Sequence, residues 1–271
     1  QYVRSEFELK YYVNVTKFQT LAWRAFLGVA KPYGNEQIMP FEKAFYDKWQ
    51  YPVQYVGHPL VEVVDEFQAS APDMALPNPS NKPIIAVLPG SRQQEILKKL
   101  PVMLEASKAF PDHQFIIAKA PGLDPAFYES LTAGYPNVTA VVNQTYDLLS
   151  ASKAALVTSG TATLETALFG VPEIICYKGN AISYQIAKRL ISIKFIGLVN
   201  LIMNKEVVKE LIQHELTVAN IRKELTALLF DEKRQRQVQQ DYRELKALLS
   251  QGGHASDNAA TAIWQFLTQI T

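Results

Sequence analysis

Five short apolar runs set what this chain can fold into: Pro83-Ile-Ile-Ala-Val-Leu88, Gln114-Phe-Ile-Ile-Ala118, Val138-Thr-Ala-Val-Val142, Ala154-Ala-Leu-Val157 and Glu173-Ile-Ile-Cys-Tyr177. Each is too short for a buried helix and reads as a strand apolar on both faces. Between consecutive runs lie stretches with helical character, at 93–110, 124–132, 146–152 and 162–169. In the first of these Ile96, Leu97, Leu100, Met103 and Leu104 follow the helical period, with Pro101 expected to kink it. Strands alternating with helices through short connections predict a parallel, doubly wound, Rossmann-like α/β sheet.

The rest of the chain is less regular. Residues 11–15 read as a strand and 19–27 as a short amphipathic or apolar segment. Pro40 suits a helix start within 37–46, and 51–56 reads as a strand. In the turn that follows, His58 is held extended by Pro59 and reads as structural. A helix is expected at 61–67, then a linker dense in Pro and Asn up to Pro83. Beyond Tyr177 the pattern gives a helix at 183–190 and a short strand at 195–200. Helices are expected at 205–213, 218–230, 232–249 and 255–267. This divides the chain into an atypical N-terminal segment, 1–56, and a Rossmann-like domain with C-terminal helices, 57–271.

Composition narrows the partners. The chain has 271 residues, 48% hydrophobic, with a formal net charge of +1, so no bulk electrostatics point to nucleic acid. A single cysteine, Cys176, excludes an internal disulfide, fits a reducing compartment and sits in an apolar run as a core residue. No run approaches the ~20 apolar residues that cross a bilayer. The sequence begins with Gln1 rather than Met, which reads as the start of a fragment.

Two turns carry chemistry. Ligands of an open parallel sheet bind beyond the carboxyl ends of its strands. Leu88-Pro-Gly-Ser-Arg92 leaves one such strand: Gly90 permits close backbone approach, Ser91 offers a hydroxyl, and Arg92 a fork for phosphate. Thr158-Ser-Gly-Thr-Ala-Thr163 leaves another and opens a helix closed by Gly170, so its amides and the helix dipole favour an anion. Glu165, one turn into that helix, suits a ribose hydroxyl. The competing reading is that Ser159 and Thr161 only cap the helix. Neither turn matches a Walker A loop or a G-x-G-x-x-G fingerprint, which disfavours NTP hydrolysis and dinucleotide redox chemistry. No cluster of metal ligands accompanies either turn, and no metal or cofactor is expected.

Taken in order, Val56-Gly-His-Pro-Leu60, Leu88-Pro-Gly-Ser-Arg92, Ser159-Gly-Thr-Ala-Thr-Leu-Glu165 and Leu198-Val-Asn-Leu201 make the chain resemble the lipid-A-disaccharide synthases. These are glycosyltransferases of the two-Rossmann-domain, B-type fold. The resemblance covers residues 40–271. It implies a UDP-2,3-diacylglucosamine donor held by the C-terminal domain and a 2,3-diacylglucosamine 1-phosphate acceptor held mainly by the N-terminal one. The product is a β-1,6 disaccharide plus UDP, formed with inversion. It assigns UDP contacts to Gly90, Ser91, Arg92, Ser159, Gly160, Thr161, Ala162, Glu165 and Asn200, the last in a turn after its strand. Tyr177 is a weaker candidate, better read as core. The resemblance also carries the expectation of a homodimer and of a cytoplasmic protein peripheral to the inner membrane of a Gram-negative bacterium.

The chain departs from the family before Gly57, where neither the Gly-rich loop nor the catalytic acidic residue of the first Rossmann half can be placed. Glu6, Glu8, Glu36, Glu42 and Asp47 are the carboxylates there, and none has a motif context, so the general base is unassigned. Two alternatives stand beside the synthase reading. One is a UDP-N-acetylglucosamine epimerase or related UDP-sugar transferase; the other is a fragment that binds nucleotide sugar without turnover. Trp23, Phe26 and Leu27 beside Arg24 and Lys31 suit an interfacial membrane segment, although an ordinary core helix fits them better.

Overall fold

The computed structural model describes residues 3–16, 19–31, 50, 55–70, 76–78, 81–180, 184, 194–251 and 253–270. The chain forms two units, one of Gln1–Val53 with Asn180–Lys194, the other of Gln54–Gly179 with Phe195–Thr271. In the first, β1 (Val3–Thr16) and β2 (Gln19–Lys31) pair antiparallel, with Val3 opposite Lys31 and Val13 opposite Leu21. The expected strand at 11–15 lies inside β1. The helical reading of Trp23, Arg24, Phe26, Leu27 and their neighbours is corrected: this segment is a strand. Leu21, Trp23, Ala25, Leu27 and Val29 recur at every second residue, the period of a strand and not of a helix. The helix expected at 37–46 lies outside the described residues, as does that at 183–190 apart from the helical Tyr184. So do 51–54 of the strand expected at 51–56, and Tyr55 and Val56 are not in a strand.

The second unit is the doubly wound sheet. Its strands are β3 (Ile84–Leu88), β4 (Gln114–Lys119), β5 (Val138–Val142), β6 (Ser152–Val157), β7 (Glu173–Tyr177) and β8 (Lys209–Ile212). All neighbours pair parallel in the order β5-β4-β3-β6-β7-β8. The winding therefore reverses between β3 and β6. The strand pleat divides the core: Ile85, Val87, Phe115, Ile117 and Leu156 pack in one buried cluster. Ile84, Ala86, Leu88, Ile116, Ala155 and Val157 pack in the other. Alternate residues of one strand thus serve opposite faces, which is why these runs are apolar throughout. Glu173 breaks that pattern, as do the buried Gln114 and Glu210. The Glu173 carboxylate is buried without a hydrogen-bond partner, and burial pushes its pKa well above the usual carboxylate range, which favours the neutral form.

The helices are α1 (Pro59–Ser70), α2 (Gln93–Ser107), α3 (Pro125–Thr132), α4 (Thr145–Ala151), α5 (Thr161–Leu168), α6 (Leu198–Met203), α7 (Val218–Phe230), α8 (Glu232–Leu249) and α9 (Ala255–Ile270). Local chemistry explains several ends. Asp124 caps α3 by accepting from the Ala126 amide at 2.9 Å, and Asp231 caps α8 by accepting from Lys233 and Arg234. Gly170 follows the C-cap Phe169 at φ +74°, and its amide bonds back to the Ala167 carbonyl at 2.9 Å.

Two expectations after Tyr177 are corrected. Residues 195–200 form no strand, because Leu198–Met203 is helix α6. The helix expected at 205–213 is instead strand β8, whose Lys209–Ile212 pairs with Ile174–Tyr177 of β7. Buried side-chain hydrogen bonds between these two elements and parallel pairing with β7 override the helical propensity of Lys, Glu and Leu.

Candidate functional site

The two turns singled out from the sequence leave adjacent strands at the winding reversal. Thr158, which begins the turn after β6, donates its amide to the Leu88 carbonyl at the end of β3, at 2.9 Å. Gly90, at φ +102°, carries its turn tightly over that contact: a Cβ there would lie 3.1 Å from Thr158 Cγ2. The crevice outside the strand ends at such a reversal is where open α/β sheets take ligands.

The N-cap position of helix α5 is held by Gly160, at φ +146°, a residue with no side chain to cap the helix. Ser159 does not serve as that cap. Its hydroxyl donates to the Ile196 carbonyl at 3.0 Å, tying the turn to the segment before α6. Thr163 Oγ1 donates back to the Gly160 carbonyl at 2.8 Å. Gly160 and Thr161 are exposed, with Ser159 and Ala162 partly so, and the positive end of the α5 dipole faces open surface.

Across the reversal, the carbonyl of Arg92 accepts from Glu95 and Ile96 and so starts α2. Its side chain is 82% exposed, and the guanidinium pairs with Glu95 Oε1 at 3.1 Å. Ser91 is exposed beside it. Glu95 in turn reaches Lys99 Nζ at 3.5 Å, and Lys99, buried beneath the turns, donates to Thr158 Oγ1. Burial lowers the Lys99 pKa against the pull of the Glu95 charge. The desolvation of Glu95 is outweighed by the bond from Arg92 and the Lys99 charge, which hold its carboxyl below the usual range.

Glu165 is partly buried, and its Oε1 accepts from Tyr146 Oη at 3.0 Å. Tyr146 is set by ring contacts to Phe67 and Phe169, at 5.3 Å and 5.1 Å between centroids. Burial, then the Glu165 charge, pushes the Tyr146 phenol up to about 12, so it remains a donor that orients the carboxylate.

Asn200 differs from the expectation of a turn residue. It is fully buried in α6. Its Oδ1 accepts from the Val207 and Val208 amides at 2.8 and 3.0 Å. Its Nδ2 donates to the Val208 carbonyl at 2.8 Å and to Glu210 Oε1 at 2.9 Å. Glu210 also accepts from the Ile196 and Gly197 amides at 2.9 and 3.0 Å. This network holds the 195–197 segment on which Ser159 docks. Tyr177 is partly buried at the end of β7, and Cys176 is fully buried. His58 accepts the Leu60 amide at 3.3 Å at the start of α1. Lys99 and Tyr146 escaped the sequence reading. For Lys99 a signal existed: a lysine at the i+3 position of the Ile96, Leu100, Met103 stripe is a charge in core phase.

A six-stranded parallel sheet with two apposed turns at its reversal defines a Rossmann-like α/β domain. The same fold occurs in the calicheamicin glycosyltransferase CalG4, at TM-score 0.50 and 17% identity over 83% of this chain and 64% of that one. The lipid-A-disaccharide synthetase family model matches residues 36–264, and the chain belongs to that family. It is 37% identical over 83% of its length to the lipid-A-disaccharide synthase of Syntrophus aciditrophicus. The identity is 34% over 95% of its length to that of Geobacter sulfurreducens. The chain spans 61% and 68% of those two relatives.

Proposed function

We propose that this chain carries the nucleotide-sugar site of an inverting glycosyltransferase that joins UDP-2,3-diacylglucosamine to 2,3-diacylglucosamine 1-phosphate. The observation that carries the reading is the apposition of Gly90–Arg92 and Ser159–Ala162 across the Thr158–Leu88 hydrogen bond, in a chain of this family. The diphosphate lies between the turns, beside the Arg92 guanidinium and the N-terminus of α5. The ribose lies at Glu165, whose carboxylate Tyr146 steadies. The acceptor 6-hydroxyl attacks the anomeric carbon opposite UDP, its proton passes to a base, and the bond to UDP breaks. Arg92 and the α5 dipole then stabilise the diphosphate as it takes up charge. Glu6 and Glu8, two candidates for the base, belong to β1, while Glu36, Glu42 and Asp47 lie outside the described residues. No metal or cofactor takes part in this scheme. The acylated substrates put the enzyme at the cytoplasmic face of the inner membrane, as a homodimer.

Titration calorimetry of UDP against the wild-type chain and Glu165→Ala, each with and without EDTA, tests the binding reading. The variant is expected to lose ~1–3 kcal/mol, because ribose hydroxyls and Tyr146 both lose an acceptor. EDTA is expected to change nothing. Unchanged affinity in Glu165→Ala removes this carboxylate from the site, and a loss in EDTA overturns the metal-free scheme. Formation of the disaccharide, followed by mass, separates a transferase from a chain that binds nucleotide sugar without turnover.

A further inference from the structure

Lys99 is a lysine where the helix pattern calls for an apolar residue, and it is almost completely buried. Such a residue needs a reason, since an ammonium loses much of its hydration there. Its neighbours are specific. Nζ bonds Thr158 Oγ1, the first residue after β6, and lies 3.7 Å from where a Cβ on Gly90 would be. The ammonium therefore sits at the junction of the two turns, from α2 below. Among the described residues its acidic partner is Glu95, whose Oε2 is 3.5 Å away on a side chain 41% exposed, and that carboxylate is shared with Arg92. Two cations thus face one carboxylate, and the group of three carries a net positive charge.

We propose that Lys99 is a positioning residue for the nucleoside diphosphate, a fixed cation beneath the crevice that also ties the two turns together through Thr158. This rests on the nucleotide reading above. As a diphosphate enters, Arg92 exchanges Glu95 for phosphate. Glu95 keeps Lys99 as its counter-ion, so the exchange leaves no carboxylate unpaired beside the anion. Lys99 needs no contact with the ligand: a charge held a few ångströms away through protein is screened far less than one in water.

The test compares an anionic with a neutral ligand. UDP and uridine are titrated against the wild-type chain and Lys99→Met, in which an apolar chain of similar length fills the same space. Lys99→Met is expected to weaken UDP at least 10-fold and to move uridine less than 2-fold. Lys99→Arg, where it folds, is expected to recover part of the UDP loss. Equal weakening of both ligands would mean that Lys99 only shapes the turns, and unchanged UDP affinity would mean that it fills space; either overturns the proposal. If Lys99→Met does not fold, Arg92→Ala/Glu95→Gln is compared with Arg92→Ala. Removing the carboxylate that neutralises Lys99 should tighten UDP at least 3-fold, and no tightening overturns the proposal. A wild-type chain that binds neither UDP nor uridine would instead overturn the nucleotide reading itself.

Discussion

Arg92→Ala is expected to lower kcat for disaccharide formation about 100-fold or more, the scale of losing one strong transition-state donor. The Arg92 side chain stands 82% exposed at the mouth of the crevice and, among the described residues, its guanidinium is held by Glu95 at 3.1 Å, so a phosphate can displace that partner. Negative charge on the UDP oxygens grows as the glycosidic bond breaks, and a fixed cation beside them gains most at that point. Arg92→Lys keeps one charge but loses the planar fork, so it should recover only part of the rate. Steady-state kinetics on the three proteins decide. A change confined to KM would make Arg92 a donor-holding residue alone, and an unchanged kcat/KM would make Leu88–Arg92 an ordinary strand-to-helix turn.

Asn200→Ala is expected to cost about 3 kcal/mol of folding stability. The side chain makes four hydrogen bonds inside the protein, and truncation takes these partners from the Val208 amide and carbonyl, while the Val207 amide keeps the Lys205 carbonyl and Glu210 Oε1 keeps the Gly197 amide. Gly197, whose amide Glu210 also holds, passes β7 without room for a side chain, since a Cβ there would overlap Ile175 Cδ1. Urea unfolding with an unchanged m-value reads the loss. Asn200→Asp keeps the two acceptor bonds but places a carboxylate against Glu210, so it should fare no better. A loss below 1 kcal/mol in Asn200→Ala would show that water replaces the amide.

Where sequence and structure agree, the signal was one that local physics decides. The five apolar runs each became a strand because a strand buried on both faces leaves no other place for such residues. The Pro89–Arg92 and Thr158–Gly160 turns were legible because Gly and Ser mark where a strand stops. Their adjacency follows from strand order, which no single segment encodes. Asn200 reads as a turn residue because Phe195–Val199 reads as a short strand ahead of it, and the buried carboxylate it serves, Glu210, stands in a stretch that looks helical in isolation. Lys205–Gln213 is likewise rich in helix formers, and only pairing with β7 makes part of it a strand. Residues 19–31 hide a strand because Ala22, Phe26 and Ala30 put apolar residues in the opposite phase and blur the two-residue alternation. Tyr146 carries no local mark at all; its partner Glu165 meets it through tertiary packing.

The pairing of β3 with β6 also has a kinetic side. Between these strands the chain must first lay down α2, β4, α3, β5 and α4, so the crevice forms only when a long loop closes. The partly folded chain, with either half of the sheet alone, has one turn and no crevice. A nucleotide that needs both turns therefore binds only after closure and draws the folding equilibrium with it, by about 2.7 kcal/mol at a hundred times its dissociation constant. Ligand at this edge acts as a clasp between the two windings of the sheet, and the amides of β3 and β6 should exchange more slowly with solvent when it is present.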